Sequence, residues 1–380
     1  MNVETTNFGS VWVWPHCPRI PMREAFEWGT YVSESYNGQD VVTQVRNAPR
    51  WFAELESVLS DGKAAAYAVA YAGAGAVWAM PVWAEAERVT VSAAAASVPV
   101  SVGHYHTDGL ALLWSSSQQW ELLEISGTPT TSISLLSAVS EDYTNALVMP
   151  VRAGRLIQAT TVNQNSVHSW FRLQFMSDEN KVLASTEPTQ YQGDDLYTEH
   201  CPLLEGDGVP DEIQMRQDTL DSYTGLVSYN TPWSCARRQR TFRRYLADAD
   251  ARMDLLDWLH RRAGRYRPFW MPTWSEDLHL ASTGALTTAI TVLNDGYTTC
   301  RNHIAVRTTG GTWLPREVTG AEVDGSNLNL TLDTSLGIDA SAVERISYLG
   351  LHRLAADRIE IETIGAGRAF AGIPVLEAQL

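Results

Sequence analysis

His104-Tyr105-His106-Thr107-Asp108 is the stretch whose residue types and spacing come nearest to a metal site. Alternate residues of a strand share one face, so two imidazoles and a carboxylate would converge there as a zinc-like ligand set. The plainer reading is a polar strand end before the turn at Asp108-Gly109, and no neighbouring cluster completes the set. His16-Cys17-Pro18 and His200-Cys201-Pro202 supply a second group of the right ligand types, provided both copies meet at one point. Against that stands a buried cysteine at a strand start, fixed by proline. No Gly-x-Ser-x-Gly elbow, P-loop or dinucleotide glycine pattern is present. The expectation is a protein that is not an enzyme and holds no cofactor.

The elements that would position such residues are organised by repetition. Met80-Pro81-Val82-Trp83 returns as Met271-Pro272-Thr273-Trp274. The pattern Trp-x-x-x-Glu-(Ile/Val)-(Ser/Thr)-Gly runs from Trp120 to Gly127 and again from Trp313 to Gly320. Arg155-Leu156 returns as Arg353-Leu354, and the His-Cys-Pro pair keeps the same order. This predicts a tandem duplication, with residues 1–176 as the first repeat, 177–215 as a connection holding the start of the second, and 216–380 as the second repeat.

Each copy predicts the same local scheme. Trp51 to Leu59 alternates like a half-exposed strand. Ser60 and Asp61 then open an alanine-rich helix that stops at Gly73. In the second copy Gln239 to Ala247 is the strand. Asp248 or Asp250 caps a helix whose apolar face is Met253, Leu255, Leu256, Trp258 and Leu259, and Gly264 ends it. Phe269 to Trp274 follows as a strand. Phe26 to Val32 and Val41 to Val45 read as strands around a turn at Asn37-Gly38. Residues 88–175 and 277–380 contain many short alternating runs, among them Asn327 to Leu332 and Arg358 to Glu362. The predicted class is mainly β with one principal helix per repeat.

Composition narrows the function. Lys and Arg number 28 against 44 Asp and Glu, a formal net charge of −16, which disfavours nucleic-acid binding. Cys17, Cys201, Cys235 and Cys300 contain no CxxC pair, and so few cysteines in a long chain predict no disulfide framework. The first fifteen residues carry no basic-then-apolar leader, which predicts assembly in the cytosol. Ala64 to Ala84 is uncharged and long enough to cross a bilayer, but its counterpart, Met253 to Trp274, is rich in Asp and Arg. No membrane insertion is expected.

Two groups remain as candidate binding surfaces. The matched Met80, Pro81, Trp83, Trp120, Met271, Pro272, Trp274 and Trp313 are first of all core residues, with subunit anchoring as the alternative for the tryptophans. Arg237, Arg238, Arg240, Arg243 and Arg244 form a basic cluster in an acidic protein. They predict either a solvated face or a salt-bridged contact with another copy.

The run from Arg240-Thr241-Phe242 through Leu259 to Trp274, with Pro268-Phe269-Trp270-Met271-Pro272-Thr273-Trp274 at its end, resembles distal tail and baseplate hub proteins of long-tailed bacteriophages. So does the closing run Arg353 to Glu362 with Pro374-Val375-Leu376-Glu377. The resemblance is clearest over residues 235–380. It implies a tail-tube-like β-barrel or sandwich in each repeat and a virion protein of the tail tip, assembled in the host cytoplasm. Its partners would be itself, the tail tube protein, the tape measure protein and other hub proteins, with DNA only passing through the channel. A duplicated domain would make a pseudo-six-fold ring from three chains, and an acidic lining would let DNA slide. Hub proteins of lambda-type tails are associated with a cysteine-bound iron–sulfur cluster, and the unclustered cysteines here predict none. A carbohydrate-binding module for adsorption, with exposed tryptophans, is the alternative, followed by a tail-associated hydrolase.

Overall fold

The computed structural model describes residues 3–378 except 37, 60–61, 74, 102–103, 165–168, 181, 184, 200–210, 234, 296, 299 and 366. Strand makes up 54% of the chain and helix 8%, so the mainly-β expectation holds. Ser60, Asp61, Asn37 and His200-Cys201-Pro202 lie outside the described residues.

In the first half the framework strands are β1 (Gly9–Val13), β2 (Met22–Glu27), β3 (Thr30–Glu34), β4 (Asp40–Gln44) and β5 (Arg50–Leu59). Helix α1 (Gly62–Ala72) follows, then β6 (Val77–Pro81), β7 (Leu110–Trp114), β8 (Trp120–Glu124), β9 (Tyr143–Gln164) and β10 (Ser169–Ser177). In the second half they are β11 (Asp194–Leu196), β12 (Asp211–Gln214), β13 (Asp218–Asp221), β14 (Val227–Asn230) and β15 (Arg237–Leu246). Helix α2 (Ala249–Arg262) comes next, then β16 (Phe269–Pro272), β17 (His303–Thr308), β18 (Trp313–Asp324), β19 (Val343–Leu354), β20 (Arg358–Gly365) and β21 (Arg368–Glu377).

The pairings of the first half recur in the second. β2 pairs with β5, β5 with β10, β10 with β9, and β9 with β6, all antiparallel, while β1 runs parallel to β6. Likewise β12 pairs with β15, β15 with β21, β21 with β19 and β20, and β19 with β16, while β11 runs parallel to β16. The sequence pairs sit at matching points of these ladders. Pro81 faces Val151 as Pro272 faces Leu349, Trp120 faces Trp114 as Trp313 faces Arg307, and Leu156 faces Phe175 as Leu354 faces Val375.

The halves are joined by β2 and β20, which pair antiparallel from Glu27 opposite Arg358 to Met22 opposite Thr363. One sheet therefore runs β9-β10-β5-β2-β20-β21-β15-β12. It does not close, so the barrel expected for each repeat is not formed. The physical reason is the pairing itself: β2 of the first half continues into β20 of the second instead of curling back on its own half.

Alternation decides which face of this sheet is buried. Trp51, Ala53 and Leu55 of β5, Phe171, Leu173 and Phe175 of β10, and Ile359 and Ile361 of β20 point to one side. On that side lie Ala65 of α1 and Leu255, Leu256 and Leu259 of α2, in one core cluster with both halves' strands. The Val89–Val148 and Leu278–Tyr348 regions each have a separate core. The exposed face carries cross-strand opposites of mixed sign: Arg23 with Glu54 and Glu362, Arg172 with Glu56, and Glu27 with Arg50 and Arg358. The chain's excess negative charge is not gathered there.

Helix α2 is capped as expected: Asp248 Oδ1 accepts from the Ala251 amide at 2.8 Å, and Ala263 (φ 51°) and Gly264 (φ 72°) turn left-handed after it. Gly73 (φ 73°) follows α1 in the same way. The expected strand Phe26 to Val32 is instead divided into β2 and β3 around Trp28-Gly29. There a side chain at Gly29 would press on the Arg46 guanidinium. Among the described residues no helix is long and apolar enough to cross a membrane.

Gly264 also touches the first half: a Cβ there would lie 2.7 Å from Trp28 Cβ. Gly264→Ala is expected to destabilise the protein by about 2–4 kcal/mol, from the positive φ plus overpacking, as read by urea unfolding. A change within a few tenths of wild type would show that this approach of the halves is loose.

Candidate functional site

The polar residues that matter most are buried between the halves. Arg252 projects from α2 beside Leu255, Leu256 and Leu259, and Glu24 projects from β2 between Met22 and Phe26, so both enter the core. Arg252 Nη1 donates to Glu85 Oε1 at 2.6 Å and Nη2 to Glu24 Oε2 at 2.9 Å. Trp51 Nε1 donates to the other oxygen of Glu24 at 3.1 Å, and the His104 amide to Glu85 Oε2 at 2.6 Å. Arg152 Nη2 donates to the His104 carbonyl at 2.6 Å. The His260 ring lies among those of Phe26, Trp28 and His104.

Electrostatics follow from this geometry. Burial alone would raise Glu85, but Arg252 and then His104 outweigh it and hold its carboxyl well below the usual range. Burial opposes the charge on Arg252 too, and Glu24 and Glu85 overcome it, so the guanidinium is held more firmly charged than usual. His260 is lowered to about 3, by burial first and then by His104 and Arg152. The site is a buried ionic lock whose two carboxylates are already engaged.

Two further links cross the same junction. Asp40 of β4 receives Arg353 at 2.6 Å, with Arg237 at 3.5 Å. Asp357, between β19 and β20, accepts from the Thr30 amide at 3.0 Å and from Arg265.

The residues weighed as a metal-ligand set do not converge. His104 Nδ1 faces Glu85 at 3.4 Å, His106 Nδ1 lies 2.7 Å from Glu179, and Asp108 accepts from the Gly127 amide. Residues 104–106 form no strand, so the alternation that would bring them to one face is missing. Among the described residues no group of three His, Cys, Asp or Glu could hold a metal ion. Cys235 and Cys300 form a disulfide, which corrects the expectation of none, and Cys17 is free and exposed. That bond spans 65 positions and depends on how the approach to β15 meets the loop before β17.

The arginine cluster is largely engaged inside the chain. Arg237 is buried, over the Trp233 ring and near Glu34 and Asp40. Arg238 and Arg240 lie 3.7 and 3.1 Å from Asp211. Arg244 is buried beside the Tyr197 hydroxyl. Arg243 lies on the exposed face, 3.7 Å over the Phe370 ring. The matched motif residues are core or its margin. Met80, Met271 and Trp274 are buried, and Trp83, Trp120 and Trp313 are half-buried against it, with Trp83 edge-on to Trp114. Pro81 and Pro272 end the buried central strands.

The Arg252 lock was missed from sequence, although its signals were present. Glu24 falls in the apolar phase of a strand, and Arg252 precedes Leu255, Leu256 and Leu259 by three, four and seven positions. No protein-family model and no curated protein matches the chain.

Arg252→Met would strand two buried carboxylates and is expected to cost about 3–5 kcal/mol in chemical unfolding, most of it regained when Glu24→Gln and Glu85→Gln are added. An equal loss in the single and triple variants would mean that packing, not charge, sets the cost. The pH dependence has a definite sign. A histidine lowered when folded takes its proton in the unfolded chain first, so stability is lost as pH falls from the usual 6.5 towards 3. His260→Gln should reduce the slope of unfolding free energy in that window by up to one proton, about 1.4 kcal/mol per pH unit. The contribution of Glu85 is lost lower, as pH falls from 4.5 through its depressed value. An unchanged slope in His260→Gln would show that this ring is protonated in the folded state.

Proposed function

We propose that this chain is a structural ring protein of a bacteriophage tail tip, of the distal tail or baseplate hub type, and that its halves are copies of one domain. Three chains would form a pseudo-six-fold ring around the channel, contacting the tail tube, tape measure and other hub proteins, with DNA only passing through. The tail-tip assignment is supported by the residue runs around Pro268–Trp274 and Arg353–Glu362. The ring reading is carried by one observation: the joint between β2 and β20 has a counterpart waiting at each end of the eight-stranded sheet.

The correspondence of pairings makes β12 the equivalent of β2, and the distal part of β9 the equivalent of β20. β2 and β20 pair with each other. No described strand pairs with the outer edge of β12, nor with the second edge of β9 beyond Gly154. Joining β12 of one chain to β9 of the next repeats the internal joint, and places Ile213 opposite Ala159. A heterologous joint of this kind closes into a ring when the rotation permits. Ile157 and Ile213, on the two edges, are both exposed large apolar residues. An unpaired strand edge is a template for strand addition. With the helices on the buried side, the mixed-sign face would line the lumen, where paired Arg and Glu hold no strong field toward DNA.

The test is cryo-EM of tailed particles together with mass photometry of the purified chain. Wild type is expected as three copies around the channel. Ile157→Pro lies in the bulge where β9 is out of register with β10. It is therefore expected to leave the monomer folded while weakening assembly about tenfold or more. Six copies would remove the three-chain reading. Absence from the particle would overturn the tail-tip role.

A further inference from the structure

The hairpins β3–β4 and β13–β14 occupy the same place in the two halves: each follows an outer strand, β2 or β12, and precedes that strand's partner, β5 or β15. They touch each other tip to base. At the turn of β3–β4 the Tyr36 hydroxyl donates to Asp218 Oδ2 at 2.6 Å and accepts from Asn230 Nδ2 at 2.5 Å. Asp218 and Asn230 face each other at the base of β13–β14. The Arg216 guanidinium lies 4.9 Å from the Tyr36 ring centroid.

A tip-to-base contact is directional, so using it once leaves two surfaces over: the tip of β13–β14 and the base of β3–β4 with the flank that runs from it. Both are apolar and exposed. Tyr223 at the tip is 95% exposed, with Leu220 and Leu226 exposed beside it. On β3–β4, Tyr31 and Val41 lie on the same face, since Tyr31 stands opposite Thr43 and Ser33 opposite Val41. Val45 continues that face and is 68% exposed. The tip is also ordered. The Tyr223 amide donates to Asp221 Oδ1 at 2.9 Å and Ser222 Oγ to the Leu226 carbonyl at 3.1 Å. These bonds hold Tyr223 left-handed at φ 58°, a conformation a tyrosine rarely adopts. A bulky ring held in such a conformation and aimed at water is pre-organised for a contact made elsewhere.

We infer that the β13–β14 tip of one chain seats on the Tyr31, Val41 and Val45 flank of β3–β4 in a second copy. The inference rests on the ring reading, because it repeats between chains the hairpin contact made within one. The occupant is another copy because the tip and the flank are the two unused ends of a contact whose used ends already fit each other. Each seat would reinforce one joint between β12 and β9.

The full chain is compared with Tyr223→Asp and Val41→Asp by sedimentation velocity at micromolar concentration, with circular dichroism melts to follow the fold. Both changes lie on exposed side chains, so melts like wild type are expected. Each variant alone should assemble at least about tenfold more weakly. A mixture should recover dimers but not rings, because the intact tip of the Val41→Asp chain can meet the intact flank of the Tyr223→Asp chain in one direction only. Wild-type assembly with both variants unaffected, or no recovery on mixing, overturns the hairpin contact and leaves the ring reading standing. A wild-type chain that remains monomeric overturns both. If either aspartate variant melts early, Tyr223→Ser and Val41→Thr replace the pair under the same criteria.

Discussion

The guanidinium of Arg252 holds the molecule's two halves in one arrangement. It comes from the second half, and both carboxylates it satisfies come from the first. A buried ion pair contributes little net stability against a well-packed apolar alternative, because desolvating the charges costs several kcal/mol. What it supplies is an all-or-none geometry. Any sliding of α2 across β2 leaves Glu24 or Glu85 charged in an apolar core. The sheet joint between β2 and β20 alone would tolerate register slips, since ladder bonds are alike from one residue to the next. The charge triad removes that freedom, and Asp40 and Asp357 pin the same junction at two further points.

Where charge is compensated and where it is not divides the surface. On the broad exposed face of the sheet, cross-strand opposites of unlike sign lie within reach: Arg23 and Glu362 at 3.4 Å, Arg172 and Glu56 at 3.7 Å, Arg358 and Glu27 at 3.8 Å. Such exposed pairs stabilise by at most about 1 kcal/mol each and are screened by salt. Their larger effect is to make the face electrically quiet. A net charge of −16 spread mainly over the remaining surface then favours solubility without imposing a field on that face.

The scheme of strand, helix and buried Met-Pro strand was readable in the sequence because each part has a local cause. Alternation marks Trp51 to Leu59, the 3.6-residue period marks α2, and Asp248 and Gly264 bracket it. The recurring motifs fell on matching ladder positions because proline and tryptophan occupy places few other residues fill. What stayed hidden depends on long-range meeting. The partners of Arg252 lie more than 160 positions away. The Cys235–Cys300 bond required knowing that two loops converge. His104, His106 and Asp108 do not share a face for a local reason: convergence needed a strand, and in this segment Glu85 captures the His104 amide instead.

The correspondence between halves also exposes a difference that bears on the ring reading. Arg252 follows the end of β15 at the same distance as Ala65 follows the end of β5. The counterparts of Glu24 and Glu85 are Asp211, already met by Arg238 and Arg240, and Glu276, which is exposed. A joint between chains would therefore present alanine where the internal joint presents arginine, and no unpaired buried carboxylate awaits it. On the ring reading the two kinds of joint are chemically unequal. The internal one is fixed by buried charges that cannot slide apart without leaving one unpaired in the core. The external one depends on strand edges and apolar hairpin contacts, which form from exposed surfaces without stranding a buried charge. On that reading the asymmetry would let each chain fold completely as a monomer before it assembles, and would let six similar domains be joined as three chains rather than as six independent subunits.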